Sequence, residues 1–324
     1  MDTCICNTTA LEVYRSYGRL LPTLLECPRT SKLDSCGLPS PQMLDDLAAK
    51  IGARNKPYHL AFGSPNQAKA RHDIRRHVYA ATLPRRSLIR LDRSTLIVSP
   101  EFLFVELCAR RDLDEMDLAL IGFELCGTYV IDPDEGSWSG LISHGAALTS
   151  KKKIARMAGN LAGRPGSGRA RRALELFEDA SNSPMETVLA LLFVLPRRLG
   201  GLGLGLGPAT MNKQVATSTG SRWVDLVFAS SAVGLEYKGK KPHSIERTAR
   251  DDRRQNKLTS SGVTILNVWY EDLRDAHLFE QLVSDVTHTL GVRVRIRSAA
   301  FAQRQNALRV RLMPAIQRYG DFVA

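Results

Sequence analysis

The chain has 324 residues, with 45 Lys+Arg against 33 Asp+Glu and a formal net charge of +12. At roughly 150 residues per domain this length predicts two domains, each able to bury a core, and rules out a disulfide-stapled miniature. Hydrophobic residues at 44% and charged ones at 24% exclude a mostly disordered or fibrous chain. The charge is uneven: residues 1–150 hold 17 basic and 18 acidic side chains, net −1, so the remainder carries +13. A basic C-terminal half expects a polyanion, most simply nucleic acid, ahead of an anionic membrane surface.

The apolar run LALLFVL at 189–195 is far short of the roughly 20 residues that cross a bilayer. The start, MDTCICNTTALEVYR, has neither a basic n-region nor an apolar h-region. The expectation is a cytoplasmic protein with no membrane partner and with reduced thiols. Cys4, Cys6, Cys27 and Cys36 form a loose cluster without a zinc-finger spacing, and read as small side chains near a loosely packed terminus. Cys108 and Cys126 sit in apolar stretches and read as core filler.

In chain order, the first half predicts a helix around 10–25, a turn-rich passage with Pro28, Gly37, Pro39 and Pro41, and a helix over 41–51. Strands follow at 57–62, 75–81 and 87–99, and a Ser-Pro-led helix at 99–111. This mixed α/β unit shows no nucleophile with a base, phosphate-cradling loop or metal-ligand spacing. Glu101, Glu106 and Glu124 read as solvated helix faces or caps. A boundary is expected at about 148–182, where residues 151–172 carry eight basic side chains and no acidic one around RPGSGR. That composition predicts a flexible basic connection between two helices, with phosphate contact as a second role. GGLGLGLG at 200–207 lacks the ending of a phosphate loop and reads as a loop or glycine-rich edge strand.

Residues 183–270 predict helix, hairpin, helix, strand. Ser183, Pro184 and Glu186 have the spacing of an N-cap, N1 and N3, so Glu186 has a capping role available to it. A hairpin turn centred between Ser230 and Ser231 places Asp225 opposite Glu236. Two carboxylates so opposed repel unless a cation lies between them. Lys238, two residues on, points to the same face as Glu236. Two hard oxygen ligands with an ammonium suit Mg²⁺, which polarises a phosphoryl oxygen and lowers the pKa of a bound water. The lysine is placed to orient that water or to stabilise charge on the phosphate.

The order of an acidic helix (SPMET), an acidic strand (WVDLVF), an acid-x-Lys strand (LEYKGKKPH) and a basic helix (RTARDDRRQNK) resembles the PD-(D/E)XK phosphodiesterase superfamily. Within it, the chain is similar over about 180–275 to Vsr-like endonuclease domains. Lysine stands at the position where that branch often has the aspartate of E-x-D-G, and His243 lies one residue late. The resemblance implies a restriction-endonuclease-like core, a mixed sheet flanked by helices. It implies catalytic Glu186, Asp225, Glu236 and Lys238, with Mg²⁺, for which Mn²⁺ substitutes, held by Asp225, Glu236 and the Tyr237 carbonyl. Lys240, Lys241, His243, Arg250, Arg253, Arg254 and Lys257 are the expected nucleic-acid contacts. The passage from HLAF through VSPEFLFVELC resembles the C-terminal region of AbiEi-type antitoxins, which implies a possible protein partner for the first half.

Residues 277–290 predict an amphipathic helix, and 291–324 hold seven arginines against one aspartate, a basic extension suited to phosphate. The expected layout is thus a smaller α/β domain over 1–150, a basic connection over 151–182, a nuclease-like domain over 183–290 and the extension 291–324. The expected function is Mg²⁺-dependent endonucleolytic hydrolysis of DNA in a defence or repair setting. The rivals are a non-catalytic, antitoxin-like nucleic-acid-binding regulator and an interaction module whose partner supplies activity.

Overall fold

The structure, a computed structural model, describes residues 1–67, 69–80, 82–131, 141–143, 145–204, 209–217, 220–228, 231–238, 261–293 and 298–319. It is mixed α/β, and its backbone contacts divide it into two units, Met1–Glu175 and Leu176–Ala324.

The first unit is built on a six-stranded mixed sheet, in the order β2-β5-β6-β1-β3-β4. The strands are β1 (Thr3–Ile5), β2 (Arg29–Thr30), β3 (Tyr58–Phe62), β4 (Ile74–Val78), β5 (Leu88–Arg90) and β6 (Thr95–Val98). A separate pair follows, β7 (Tyr129–Ile131) with β8 (Leu141–Ser143). β1 lies between β6, which it pairs in parallel, and β3, which it pairs antiparallel. An interior strand is flanked at both edges, and Cys4 and Cys6 on and beside this one are buried, as is Cys36. The terminus is therefore closely packed, contrary to the expectation of a loose one. None of the six cysteines is in a disulfide.

The expected helix at 10–25 is two helices, α1 (Asn7–Tyr17) and α2 (Leu21–Glu26), separated by a 3₁₀ turn at Gly18, whose φ is +48°. α3 (Pro41–Ile51) spans the expected residues. Its Ser40 Oγ accepts from the Met43 N–H, Pro41 needs no donor in the first turn, and Gly52 ends it at φ +76°. Leu44, Ala48 and Ile51, at four- and three-residue spacing, supply the buried stripe.

α4 (Pro100–Cys108) is buried along its whole length, and α5 (Glu115–Cys126) over most of it. Glu101, Glu106 and Glu124 are accordingly not solvated: they are only 7, 6 and 3% exposed. A buried carboxylate must be paired or hydrogen-bonded, and each of these is. Arg29 Nη1 lies 2.7 Å from Glu101, and Arg15 meets both oxygens of Glu124 at 2.8 and 2.7 Å. Glu106 accepts from the Asn7 N–H at 2.9 Å and from the Tyr79 hydroxyl.

The stretch expected as a flexible connection forms α6 (Lys151–Asn160) and α7 (Ser167–Ala173) of the first unit, with the division falling after Glu175. Ile154, Met157, Ala158, Ala170 and Ala173 are buried. The RPGSGR turn is close-packed too: Gly166 has φ +87°, and a Cβ there would overlap the Val105 carbonyl. The basic side chains occupy the other faces of helices whose apolar sides are buried.

The second unit starts with α8 (Pro184–Phe193), all ten residues of which are buried. A four-stranded sheet follows, ordered β12-β11-β10-β9. Its strands are β9 (Ala209–Thr217), β10 (Gly220–Phe228), β11 (Val233–Tyr237) and β12 (Thr264–Val268). β9, β10 and β11 run antiparallel in turn, and β12 joins β11 in parallel. α9 (Tyr270–Arg274), α10 (Ala276–Thr289) and α11 (Ala299–Tyr319) complete the unit. Within the tail expected as an extension, α11 is thus part of the core. α11 packs on α8, burying Leu308, Leu312, Ala315 and Ile316, and the Arg309 guanidinium sits 4.7 Å from the Phe279 ring centre.

Within the glycine-rich run, Gly200–Leu204 form a loop that caps the end of α8. The N–H groups of Leu202, Gly203 and Leu204 donate to the carbonyls of Leu192, Leu195 and Phe193, groups that a helix end otherwise leaves unsatisfied. A Cβ on Gly201 would overlap the Leu195 carbonyl. Gly201→Ala is expected to cost about 1–3 kcal/mol, read as a lower urea midpoint at unchanged slope. Among the described residues no helix is long and apolar enough to cross a membrane.

Candidate active site

The hairpin of β10 and β11 pairs Leu226 with Leu235, Val227 with Gly234 and Phe228 with Val233. Continued by one residue, that register sets Asp225 opposite Glu236, as the serine turn predicts. β12 extends the row, because Glu236 is aligned with Asn267. On the other side, β9 and β10 pair Met211 with Leu226 and Lys213 with Val224, which leaves Asn212 beside Asp225. Two acids and two amides thus occupy one line of positions across four strands.

The local bonds show how the acids are held. Asp225 Oδ2 accepts from the Tyr237 N–H at 2.8 Å. Lys238 Nζ lies 2.6 Å from Glu236 Oε2, both side chains being largely buried at 12 and 5% exposure. The third acid arrives on α8. Ser183 Oγ accepts from the Glu186 N–H at 3.2 Å, as a helix cap should. The reciprocal bond shifts upstream: Glu186 Oε2 accepts from the Asn182 N–H at 2.7 Å, and also from the Asn212 side-chain amide. Asn212 has φ +45°, a conformation asparagine tolerates better than most residues, and its amide also reaches the Ala180 carbonyl at 2.9 Å. It was not among the expected site residues. The one sequence signal for it is a lone asparagine inside an otherwise strand-forming run, ATMNKQVAT.

Burial first, and the charge of Asp225 second, push the Glu186 carboxyl up to about 8. The neutral form is therefore favoured in the folded chain. The stability this confers is complete below the ordinary glutamate range and is lost as pH rises through about 8. Glu186→Gln, which keeps an acceptor for both asparagine donors, is expected to flatten that loss. The variant should gain about 1–3 kcal/mol on the wild type between pH 5 and pH 9, measured by urea unfolding at both pH values.

Among the described residues no group of three His, Cys, Asp or Glu side chains is arranged to hold a metal ion. The donor set of Asp225 and Glu236 is nonetheless of the right chemistry for Mg²⁺, which is commonly bound by one or two carboxylates together with substrate phosphates and waters. Lys240, Lys241, His243, Arg250, Arg253, Arg254 and Lys257, the expected nucleic-acid contacts, lie outside the described residues, as does the basic helix expected to carry most of them.

Compared with protein-family models, with curated proteins and with solved structures, the chain finds no match.

Proposed function

We propose that the second unit is a Mg²⁺-dependent endonuclease that hydrolyses DNA phosphodiester bonds, related to the Vsr-like branch of the PD-(D/E)XK superfamily. The observation that carries this reading is the row on β10 and β11, where Asp225 stands opposite Glu236 and Lys238 closes on Glu236 at 2.6 Å. A mixed sheet with helices before and after it supports the same reading, as does the excess of basic residues in this half of the chain.

Asp225 and Glu236 would hold the metal, with the Tyr237 carbonyl as a third oxygen. When bound, Mg²⁺ supplies polarisation of the phosphoryl oxygen and a more acidic water. Lys238 orients the attacking water and offsets charge on the phosphate as the P–O bond to the leaving group breaks. Glu236 holds that ammonium in place. Glu186, buried and favouring its neutral form, positions Asn212 and, through it, the end of β9 beside Asp225. The Tyr237 N–H fixes the orientation of the Asp225 carboxylate.

The test is incubation of the full chain with supercoiled plasmid and with single-stranded DNA, each in Mg²⁺, Mn²⁺ or EDTA. Cleavage that needs the metal supports the reading. DNA binding without cleavage under every condition overturns it in favour of a non-catalytic regulator.

A further inference from the structure

Residues 151–172 carry eight basic side chains and no acidic one, and they fold as α6 and α7, which pack on each other and on α4. Because the apolar sides of both helices are buried, Lys152, Lys153 and Arg156 on α6 and Arg171 and Arg172 on α7 are left exposed. A stretch of chain remote in sequence joins them. Residues 82–87 are held against this pair of helices at two points: Ser87 Oγ lies 3.9 Å from Met157 Sδ of α6, and Arg164, in the turn after α6, donates to the Thr82 carbonyl at 3.4 Å. That stretch adds two more exposed cations, Arg85 and Arg86.

Among the described residues no ion pair or hydrogen bond engages any of these seven side-chain cations, and Glu175, the next acid along the chain, pairs with none of them. Two of the placements also work against the fold. Lys152 and Lys153 occupy the first turn of α6, behind the Ser150 cap, where the helix macrodipole favours acids and disfavours cations. Arg86 takes φ +67°, left-handed backbone for which glycine or asparagine is the less costly choice. Cations kept at such positions without a partner in the chain fit a partner outside it. Nucleic acids and anionic lipid surfaces both present phosphate. A helix that lies in a lipid surface also inserts large apolar side chains, and none of the exposed residues of α6 and α7 is of that kind.

We propose that this face of the first unit binds the phosphate backbone of duplex DNA, through Arg85 and Arg86, the start of α6 and the end of α7. The choice of DNA among nucleic acids rests on the function proposed above. To that function the face adds a hold on the substrate that is independent of base sequence, since phosphate contacts position a duplex without reading it.

Fluorescence anisotropy of the full chain with a labelled DNA duplex, in EDTA so that nothing is cut, tests this over a range of NaCl concentrations. Arg85→Gln, Arg156→Gln and Arg172→Gln each remove one cation, from the three segments in turn. Arg93→Gln is the control of equal charge change, because Arg93 is exposed in the turn between β5 and β6, at the other end of β5 from Arg86. Each of the three variants, shown folded by circular dichroism, is expected to bind the duplex about fivefold more weakly near physiological salt and to lower the slope of log K against log salt by about one. Arg93→Gln should leave both unchanged. The proposal is overturned if the wild type does not bind the duplex, if the three variants bind it as the wild type does, or if Arg93→Gln loses as much as they do. Loss of binding to phosphatidylserine vesicles in the three variants, with duplex binding unchanged, gives the face to a lipid surface instead. Tighter binding of an RNA duplex, weakened by the same variants, overturns the choice of DNA. Since cleavage is not read, this result is separate from that of the nuclease reading: a chain that never cuts but whose three variants bind poorly keeps this face, and a chain that cuts while they bind normally loses this face alone.

Discussion

Lys238→Ala is expected to cut DNA about a hundred- to a thousandfold more slowly than the wild type, with its fold retained. Lys238 follows β11, and the bond that its backbone N–H donates to the Val268 carbonyl is kept in alanine. The change does leave Glu236 without the ammonium that lies 2.6 Å away. A buried carboxylate deprived of its cation is costly, so Lys238→Met is the companion variant, which fills the same volume. If both variants keep the far-ultraviolet circular dichroism of the wild type and neither cuts, the side chain acts in chemistry. If both cut at the wild-type rate, Lys238 is a structural partner of Glu236 and the assignment of its role fails. Asp225→Asn separates the other half of the site, since the amide oxygen can still accept from the Tyr237 N–H while its charge is gone. It should lose metal-dependent cleavage and lose any rise in melting temperature produced by Mg²⁺.

The largest stability effect is expected in the first unit. In Arg15→Ala, Glu124 loses both of its guanidinium bonds, at 2.8 and 2.7 Å, while its side chain remains only 4% exposed. Breaking such a pair from one side costs about 3–5 kcal/mol, because a charge stays buried without its counterion. The Ile131 N–H, 3.0 Å from Glu124, compensates only in part. The first unit should unfold at lower denaturant, and backbone amides of α1 and β7 should exchange hydrogen faster. Replacing both partners, as Arg15→Met with Glu124→Leu, should recover most of the loss. A double variant no more stable than Arg15→Ala would show that the pair positions α1 in a way apolar packing cannot.

The parts legible in the sequence were those governed by near neighbours. Ser183 and Pro184 mark the start of α8, and the short span between β10 and β11 fixes the hairpin register whose continuation by one residue sets Asp225 opposite Glu236. Both depend on residues within a dozen positions of one another. The pairing of Glu101 with Arg29 and of Glu124 with Arg15 joins residues 72 and 109 apart in the chain, and no local pattern separates those glutamates from solvated ones. α11 was hidden differently. Its four arginines are its only charged residues, while Leu308, Leu312, Ala315 and Ile316 fill the space against α8. Strand β9 was missed because the glycines before it suggest irregular backbone, and Asn212 because a lone asparagine in a strand-forming run does not by itself mark a left-handed residue.

The line formed by Asn212, Asp225, Glu236 and Asn267 acts as a ruler. Each strand interval sets a spacing of about 4.8 Å, so the separations along the line are multiples of a length no side chain controls. Adjusting them by sliding a strand is closed off: a slip of β11 by a single residue would exchange Glu236 with Leu235, sending a carboxylate to the apolar side and a leucine to the polar one. Divergence in this protein can therefore tune the site only by side-chain length, glutamate for aspartate or lysine for glutamine, at fixed stations along the sheet.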